Sequence, residues 1–249
     1  MQRCYPDHFD DPDDDALAAA YAWPLSTPDR STIRANMVAA IDAGATVDGR
    51  AAGLGSAADQ RLLIVLRDLA DVILVGAGTI RAEGYGGIAL DARRMERRRR
   101  WGLAGPPPIA VVSGGDLDRN LRIFLDNEVR PIVITTTAGC VRMAGYPAVV
   151  LDAGGVADGR EHLVDLRAAV RALTEHGFRR ILCEGGPSLL GGLVAEALVD
   201  ELCLTTSPTL LGAGPVPLLG ATRIAAPVQW RLESLHVDHS HVFSRYSRA

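Results

Sequence analysis

The sequence predicts an α/β fold: a mostly parallel central sheet, helices on both faces and an antiparallel C-terminal edge hairpin. Three observations carry this. Short β-branched runs recur at Asp71 to Gly76, Ile109 to Ser113, Pro131 to Thr136 and Ala148 to Leu151. Runs this continuously apolar suit strands buried on both faces. Segments of helical periodicity lie among them, and such alternation favours parallel strands joined by covering helices. The final stretch, Trp230 to Tyr246, reads instead as two strands of a hairpin.

Residues 1–30 read as a loosely held acidic arm, because Asp10 to Asp15 carries five aspartates; Tyr21 and Trp23 are placed to pin its end. Residues 31–249 read as one domain. Ile33 to Ala40 forms its first strand. Leu62, Leu63, Val65, Leu66 and Leu69 predict a helix over about Ala57 to Leu69. The buried strand Asp71 to Gly76 follows. Arg93 to Arg100, before Pro106-Pro107-Pro108, reads as a solvated cationic loop, with a phosphate clamp as its alternative. Leu163 to His176 is an amphipathic helix closed by Gly177. Arg180 to Cys183 is a strand, Leu189 to Val199 a helix, and Leu202 to Thr206 another strand.

Composition narrows the functional classes. With 249 residues, 48% hydrophobic, the chain can bury one substantial core. A net charge of −4 gives no basic field for nucleic acid or an anionic membrane. No apolar run approaches the roughly 20 residues a bilayer demands, and the acidic start is unlike a secretory leader, so a cytoplasmic location is expected. Cys4, Cys140, Cys183 and Cys203 form no CxxC pair, and no zinc-binding histidine pattern occurs, so no catalytic metal is expected. His236, His239 and His241 suit a half-exposed hairpin. All 26 basic residues are arginine. The absence of lysine excludes Schiff-base chemistry, pyridoxal phosphate attachment and a P-loop lysine.

The chemistry concentrates in two glycine turns. Glu184-Gly185-Gly186-Pro187-Ser188-Leu189-Leu190 lies between a strand and a helix. Pro187 suits the first helical position. Paired glycines let a ligand approach the backbone, where free N–H groups and the helix dipole favour phosphate. Glu184 would stand at the carboxyl end of its strand, where open α/β sheets bind ligands. The second turn is Val75-Gly76-Ala77-Gly78-Thr79. Arg81 occupies the third glycine position of a GxGxxG fingerprint, so this is no Rossmann signature. Together the turns suit a dinucleotide across the sheet edge, with hydroxyls at Thr79 and Ser188.

At this point the chain resembles a family. Residues 70–81, Ala-Asp-Val-Ile-Leu-Val-Gly-Ala-Gly-Thr-Ile-Arg, resemble the second motif of the reductase domain of bacterial riboflavin-biosynthesis deaminase/reductase proteins. Glu184 to Leu189 matches the late motif almost letter for letter. Val199-Asp200-Glu201-Leu202, with Ser207-Pro208 and Leu211-Gly212, fits the closing pattern. The resemblance spans roughly Ile33 to Tyr246. It implies a dihydrofolate-reductase-like fold, NADPH as cofactor, a homodimer, and reduction of 5-amino-6-(5-phosphoribosylamino)uracil at its ribose. Thr79, Glu83 and Ser113 then match cofactor-contacting positions, beside Gly76, Gly78 and Gly185. Gly186, Pro187, Ser188, Leu189, Leu190, Gly191 and Gly192 match the stretch holding the NADP phosphates. Glu184 matches a substrate-side carboxylate and Arg67 a substrate-contacting arginine, although Arg67 also ends a helix, where a cation is favoured anyway. Asn36, in the first strand, is a further substrate-side candidate. No deaminase module is expected in the short N-terminal segment.

The chain departs from the family at the first motif. Ala40-Ile41-Asp42-Ala43 and Thr46-Val47-Asp48-Gly49-Arg50 both approximate it, and Asp42 is favoured because it directly follows the strand. Asp59 carries two readings. With Ser56 it could form a capping box at a helix start. Alternatively its carboxylate could hold a 2-aminopyrimidine or pterin ring by paired hydrogen bonds. Asp42, Asp59 and Glu184 are the candidates to relay the proton that accompanies hydride. A pterin reductase and a catalytically inactive NADP-binding protein stand as alternatives.

Overall fold

The computed structural model describes residues 1–7, 9–10, 12–24, 29–51, 53–126, 128–154 and 163–249. Residues 8, 11 and 25–28 of the predicted arm lie outside the described residues. The N-terminal elements are β1 (Gln2–Tyr5), β2 (Phe9–Asp10) and α1 (Asp14–Ala20), followed by β3 (Thr32–Ala40) and α2 (Ala57–Asp68). Next come β4 (Val72–Gly76), α3 (Ala77–Glu83), α4 (Ala92–Arg100), β5 (Ile109–Val112), α5 (Arg122–Leu125), β6 (Ile132–Thr135), α6 (Thr137–Arg142) and β7 (Val149–Asp152). The chain closes with α7 (Leu166–Glu175), β8 (Arg180–Cys183), α8 (Pro187–Ala195), β9 (Glu201–Ser207), β10 (Trp230–Asp238) and β11 (His241–Arg248).

Among the described residues the strands form one sheet in the order β2-β1-β10-β11-β9-β3-β8-β4-β5-β6-β7. From β9 to β7 every pairing is parallel; β11, β10, β1 and β2 continue it antiparallel. The hairpin therefore does not form the edge. β1 pairs with β10 and β2 lies outside it, a pairing that four short residues at the chain start gave no periodicity to announce.

Alternation sorts the core. Val72 and Leu74 of β4, with Ile181 and Cys183 of β8, pack against α7 and α8. Leu182 faces the other side, with α1, α2, Cys203 and Phe243. Ile73 and Val75 share that second face with Ile80, Ile123 and Phe124.

Two expectations change. The arm is held, not loose: Leu17, Ala18 and Tyr21 are buried. Arg34, fully buried on β3, donates to Glu201 Oε2 (2.7 Å) and to the backbone carbonyls of Tyr21 (2.6 Å) and Ala22 (3.2 Å). The arginine run is helix α4, not a solvated loop. Arg97 and Arg98 are buried, because acidic groups and orphan carbonyls lie beneath them. Arg97 and Arg94 hold the buried Asp68. Arg98 donates to the carbonyls of Arg67 (3.1 Å), Asp68 (3.2 Å) and Ala70 (2.8 Å) at the C-terminal end of α2. It thereby satisfies acceptors a helix end leaves without intrahelical partners.

Candidate active site

A cavity of about 960 Å³ opens at the carboxyl ends of β4, β5 and β8, walled by β3 and α2. Strand ends of this kind are where open α/β sheets form ligand crevices. Asn36, Asp59, Arg67, Glu184, Gly76, Gly78, Thr79, Glu83 and Ser113 all line it, with Gly186, Pro187, Ser188 and Leu189.

The two glycine turns meet at its floor. The Gly76 N–H donates to the Gly185 carbonyl at 2.7 Å. Gly185 has φ +84°, and a Cβ there would lie 2.9 Å from the Met37 sulfur, so both conformation and space require glycine. A Cβ on Gly186 would lie 2.6 Å from Thr79 Oγ1. α3 starts after Gly76 and α8 after Gly186, with Pro187 at its first position; neither N-cap residue supplies a side-chain cap. The first-turn amides of a helix have no intrahelical partners. Two uncapped helix starts, tied together by a backbone bond, therefore present donors to the same cavity.

Glu184 is the electrostatic centre. Its Oε1 accepts from Arg67 Nε at 2.7 Å, and its Oε2 accepts from Arg67 Nη2 at 2.6 Å and from the Tyr85 hydroxyl at 2.7 Å. Burial works against the charge on Arg67, but the adjoining carboxylate more than offsets it and holds the guanidinium above its ordinary range. Tyr85 is pushed well above the usual phenol range, by burial first and by the Glu184 charge second. Arg67 Nη1 makes no hydrogen bond among the described residues, so an open donor remains on a fixed cation.

Asp59 sits in the first turn of α2. Ser56 Oγ accepts from its N–H at 3.2 Å, yet no bond returns from the Asp59 carboxylate to the Ser56 N–H among the described residues. The capping box is thus half made. Asp59, 7% exposed, lines the cavity instead. Burial raises its pKa, with the Thr205 hydroxyl and the His241 charge opposing.

Asp42 is corrected. It lies on an exposed turn outside the cavity, where its carboxylate accepts from the Leu211 and Gly212 N–H groups, both at 2.8 Å. β3 turns back at once after Ala40, so the later approximation of the motif reaches the site: Thr46 and Gly49 line it. Glu83 fastens that loop by accepting from the Ala51 N–H at 2.8 Å. Leu190, Gly191 and Gly192 are also corrected. The helical turn carries them off the cavity: Leu190 is buried in the core. A Cβ on Gly191 would meet the Leu219 carbonyl at 2.4 Å, and one on Gly192 the Leu166 side chain at 2.7 Å. Gly185 supports the floor without lining it. Sequence reasoning missed Tyr85, Thr205 and His241; a lone tyrosine after Gly84 carried no pattern, and the last two come from strands distant in sequence.

Comparison with known proteins places these observations. A family model described as the RibD C-terminal domain matches residues 31–243. A 2,5-diamino-6-ribosylamino-4(3H)-pyrimidinone 5′-phosphate reductase of Archaeoglobus fulgidus is 30% identical over 161 residues, covering 64% of this chain and 71% of that protein. The riboflavin biosynthesis protein RibD of Mycobacterium tuberculosis is 29% identical over 195 residues; the match spans 77% of this chain and 46% of the relative. Among solved structures, a pyrimidine reductase-like protein from Corynebacterium diphtheriae superposes with TM-score 0.77 at 28% identity, covering 94% of this chain and 98% of that one.

Proposed function

The chain belongs to the RibD C-terminal domain family, and from that premise we propose that it is an NADPH-dependent reductase acting on a ribosylaminopyrimidine 5′-phosphate in riboflavin biosynthesis. Its α/β sheet is of the dihydrofolate-reductase-like kind. We take residues 31–249 as the single reductase domain and residues 1–30 as an arm packed on it, and we expect a homodimer in the cytoplasm. No helix among the described residues is long and apolar enough to cross a membrane.

One observation carries the reading: two uncapped helix starts, joined through Gly76 and Gly185, open onto the cavity that holds the Arg67–Glu184 pair. Such amide arrays bind phosphate groups. A Cβ on Gly186 would collide with Thr79 Oγ1 at 2.6 Å, so the absent side chain lets this turn pack directly against Thr79 at the cavity floor. The residues present therefore fit NADPH, with Gly76, Gly78, Thr79, Ser113, Gly186, Pro187 and Ser188 around it. NADPH held there would supply a hydride to the ring-opened sugar of the substrate, an imine or carbonyl, and the acceptor would take its proton from a carboxyl group or an ordered water.

The chain's own residues orient and stabilise. Glu184 has both oxygens engaged, so its role is to fix Arg67. Arg67 offers Nη1 to an anionic part of the substrate. Glu83 holds the 46–51 loop over the site. Holding reactants in this way supplies much of the rate.

Steady-state NADPH oxidation with the ribosylaminopyrimidine phosphates and with dihydrofolate tests the reading. Turnover of a pyrimidine phosphate alone is expected. Turnover of dihydrofolate alone would establish the pterin alternative, and NADPH binding without turnover the inactive one.

A further inference from the structure

Tyr85 touches both members of the Arg67–Glu184 pair, and the stretch of chain that carries it begins at the Gly76 turn. We propose that Tyr85 is a positioning residue that couples the two halves of the site: through its hydroxyl, NADPH and the pyrimidine phosphate bind synergistically, each tightening the other. This deepens the reductase reading above and rests on it.

The coupling follows a closed ring of bonds. It starts at Gly76, whose N–H donates to the Gly185 carbonyl at 2.7 Å. From Gly76 the chain runs along the cavity through Gly78 and Thr79 of α3 and ends the helix at Gly84, φ +65°. That left-handed turn, which glycine adopts without strain, brings Tyr85 back onto the cavity wall. The Tyr85 hydroxyl then donates to Glu184 Oε2 at 2.7 Å, and Glu184 is the covalent neighbour of Gly185. The ring is closed.

Each segment of the ring is anchored. Ile80 fixes α3 in the core, and the Glu184 N–H donates to the Leu74 carbonyl at 3.0 Å. Arg67 depends on the same carboxylate through bonds of 2.7 and 2.6 Å, and its guanidinium carbon lies 5.5 Å from the centre of the Tyr85 ring. Burial, then the Glu184 charge, keeps the phenol protonated well beyond its ordinary range, so the donor persists at neutral pH.

A diphosphate seated on the turns at Gly76 and Gly186 restrains the ring where its two strands of chain meet. Tyr85 passes that restraint to Glu184, and Glu184 to Arg67. The ordering that the first ligand imposes is then already in place for the second, which gives positive cooperativity without a change of shape. Among the described residues, no other side-chain hydrogen bond joins the stretch from Gly76 to Tyr85 to Glu184. Without the hydroxyl, Arg67 would answer to the cofactor only through the backbone at Gly185.

The experiment uses the full-length protein with NADP⁺ and the unreduced pyrimidine phosphate, a pair that cannot turn over. Calorimetry measures the affinity of each ligand alone and with the other saturating. In the wild type each should tighten the other by the same factor, about 5- to 150-fold, the usual span of coupling between two sites. Tyr85→Phe keeps the ring and its place beside Arg67. It should leave NADP⁺ affinity alone unchanged and bring the coupling factor close to unity. In steady state at saturating NADPH, the same loss should raise KM for the pyrimidine phosphate with kcat near the wild-type value. Independent binding of the two ligands to the wild type would overturn the proposal whatever the variant does. Undiminished synergy in Tyr85→Phe would overturn it as well, and weakened binding of NADP⁺ alone would assign Tyr85 a structural role instead. Those three outcomes leave the reductase reading intact; a wild type that binds neither ligand would end both.

Discussion

Arg67, in the last turn of α2, and Glu184, just past the end of β8, meet through two parallel hydrogen bonds of 2.7 and 2.6 Å. Helix and sheet are thereby locked at the cavity wall, and Tyr85 adds a third bond to the same carboxylate. Replacing Glu184 by Gln removes the charge that offsets burial of Arg67. Breaking one partner of a buried pair costs about 3–5 kcal/mol, with an isosteric amide toward the lower end. We expect a lowered thermal midpoint and a kcat/KM reduced by about 100-fold, the scale of a misplacement near 1 Å. Kinetics and thermal unfolding on one preparation check it. Unchanged kcat/KM would show that Arg67 does not need its partner.

Gly186 gives a steric prediction. A methyl group there would lie 2.6 Å from Thr79 Oγ1, within a turn whose neighbour Gly185 is itself fixed by a backbone bond. Gly186→Ala should weaken NADPH binding by about tenfold or more, with an overpacking cost of about 1–3 kcal/mol in stability. Removing the hydroxyl in the double variant Gly186→Ala, Thr79→Ala should recover part of the stability. Titration by cofactor fluorescence separates the effects.

Legibility in the sequence followed how local each cause was. Val72 to Val75 announced a buried strand because every side chain is apolar, and the Glu184 turn was readable because Pro187 and its glycines act on their own backbone. Asp59 was readable as a candidate, but its cap and ligand roles differ only in where one carboxyl group points. The residues facing it, Thr205 and His241, come from β9 and β11. α4 was misread because four consecutive arginines look solvated; what buries Arg97 and Arg98 is Asp68 and the end of α2, about 30 positions earlier. Asp42 failed for a similar reason. Proximity to a strand end does not reveal which way the chain turns next, and here it turns away from the cavity.

Arg98 is a consequence of that packing. Its guanidinium serves the carbonyls of Arg67, Asp68 and Ala70 while Nε serves Gly105 at 2.6 Å. Burial lowers its pKa to about 10, first among the causes, so it stays charged at neutral pH. Arg98→Met keeps the apolar stem and removes the donor to the carbonyls of Asp68, Ala70 and Gly105, whereas that of Arg67 keeps the Ala70 N–H. Each buried acceptor left without a donor costs about 1–3 kcal/mol, so unfolding should be facilitated by several kcal/mol in total. Arg67 ends the same helix, so KM for the pyrimidine phosphate should rise more than KM for NADPH. Equal changes in both would mean that Arg98 supports the fold without positioning Arg67.

His236, fully buried on β10, stacks on Tyr21 of the arm with ring centroids 5.6 Å apart. Its Nε2 has no hydrogen-bond partner among the described residues. Burial, then the Arg3 and Arg245 charges, lowers its pKa from 6.5 to about 4. The folded state therefore resists protonation more than the unfolded chain does. Its contribution to stability is complete above pH 6.5 and is lost as pH falls from there toward 4. At 1.36 kcal/mol per pH unit this amounts to roughly 3 kcal/mol. Denaturant unfolding across that window should show stability falling with acid, and His236→Phe should flatten the slope in the same window. Because His236 lies against the N-terminal arm, the arm should open first, seen as an early rise in exposure of Trp23 fluorescence to quencher. An identical slope in the two proteins would assign the acid sensitivity to carboxylates elsewhere.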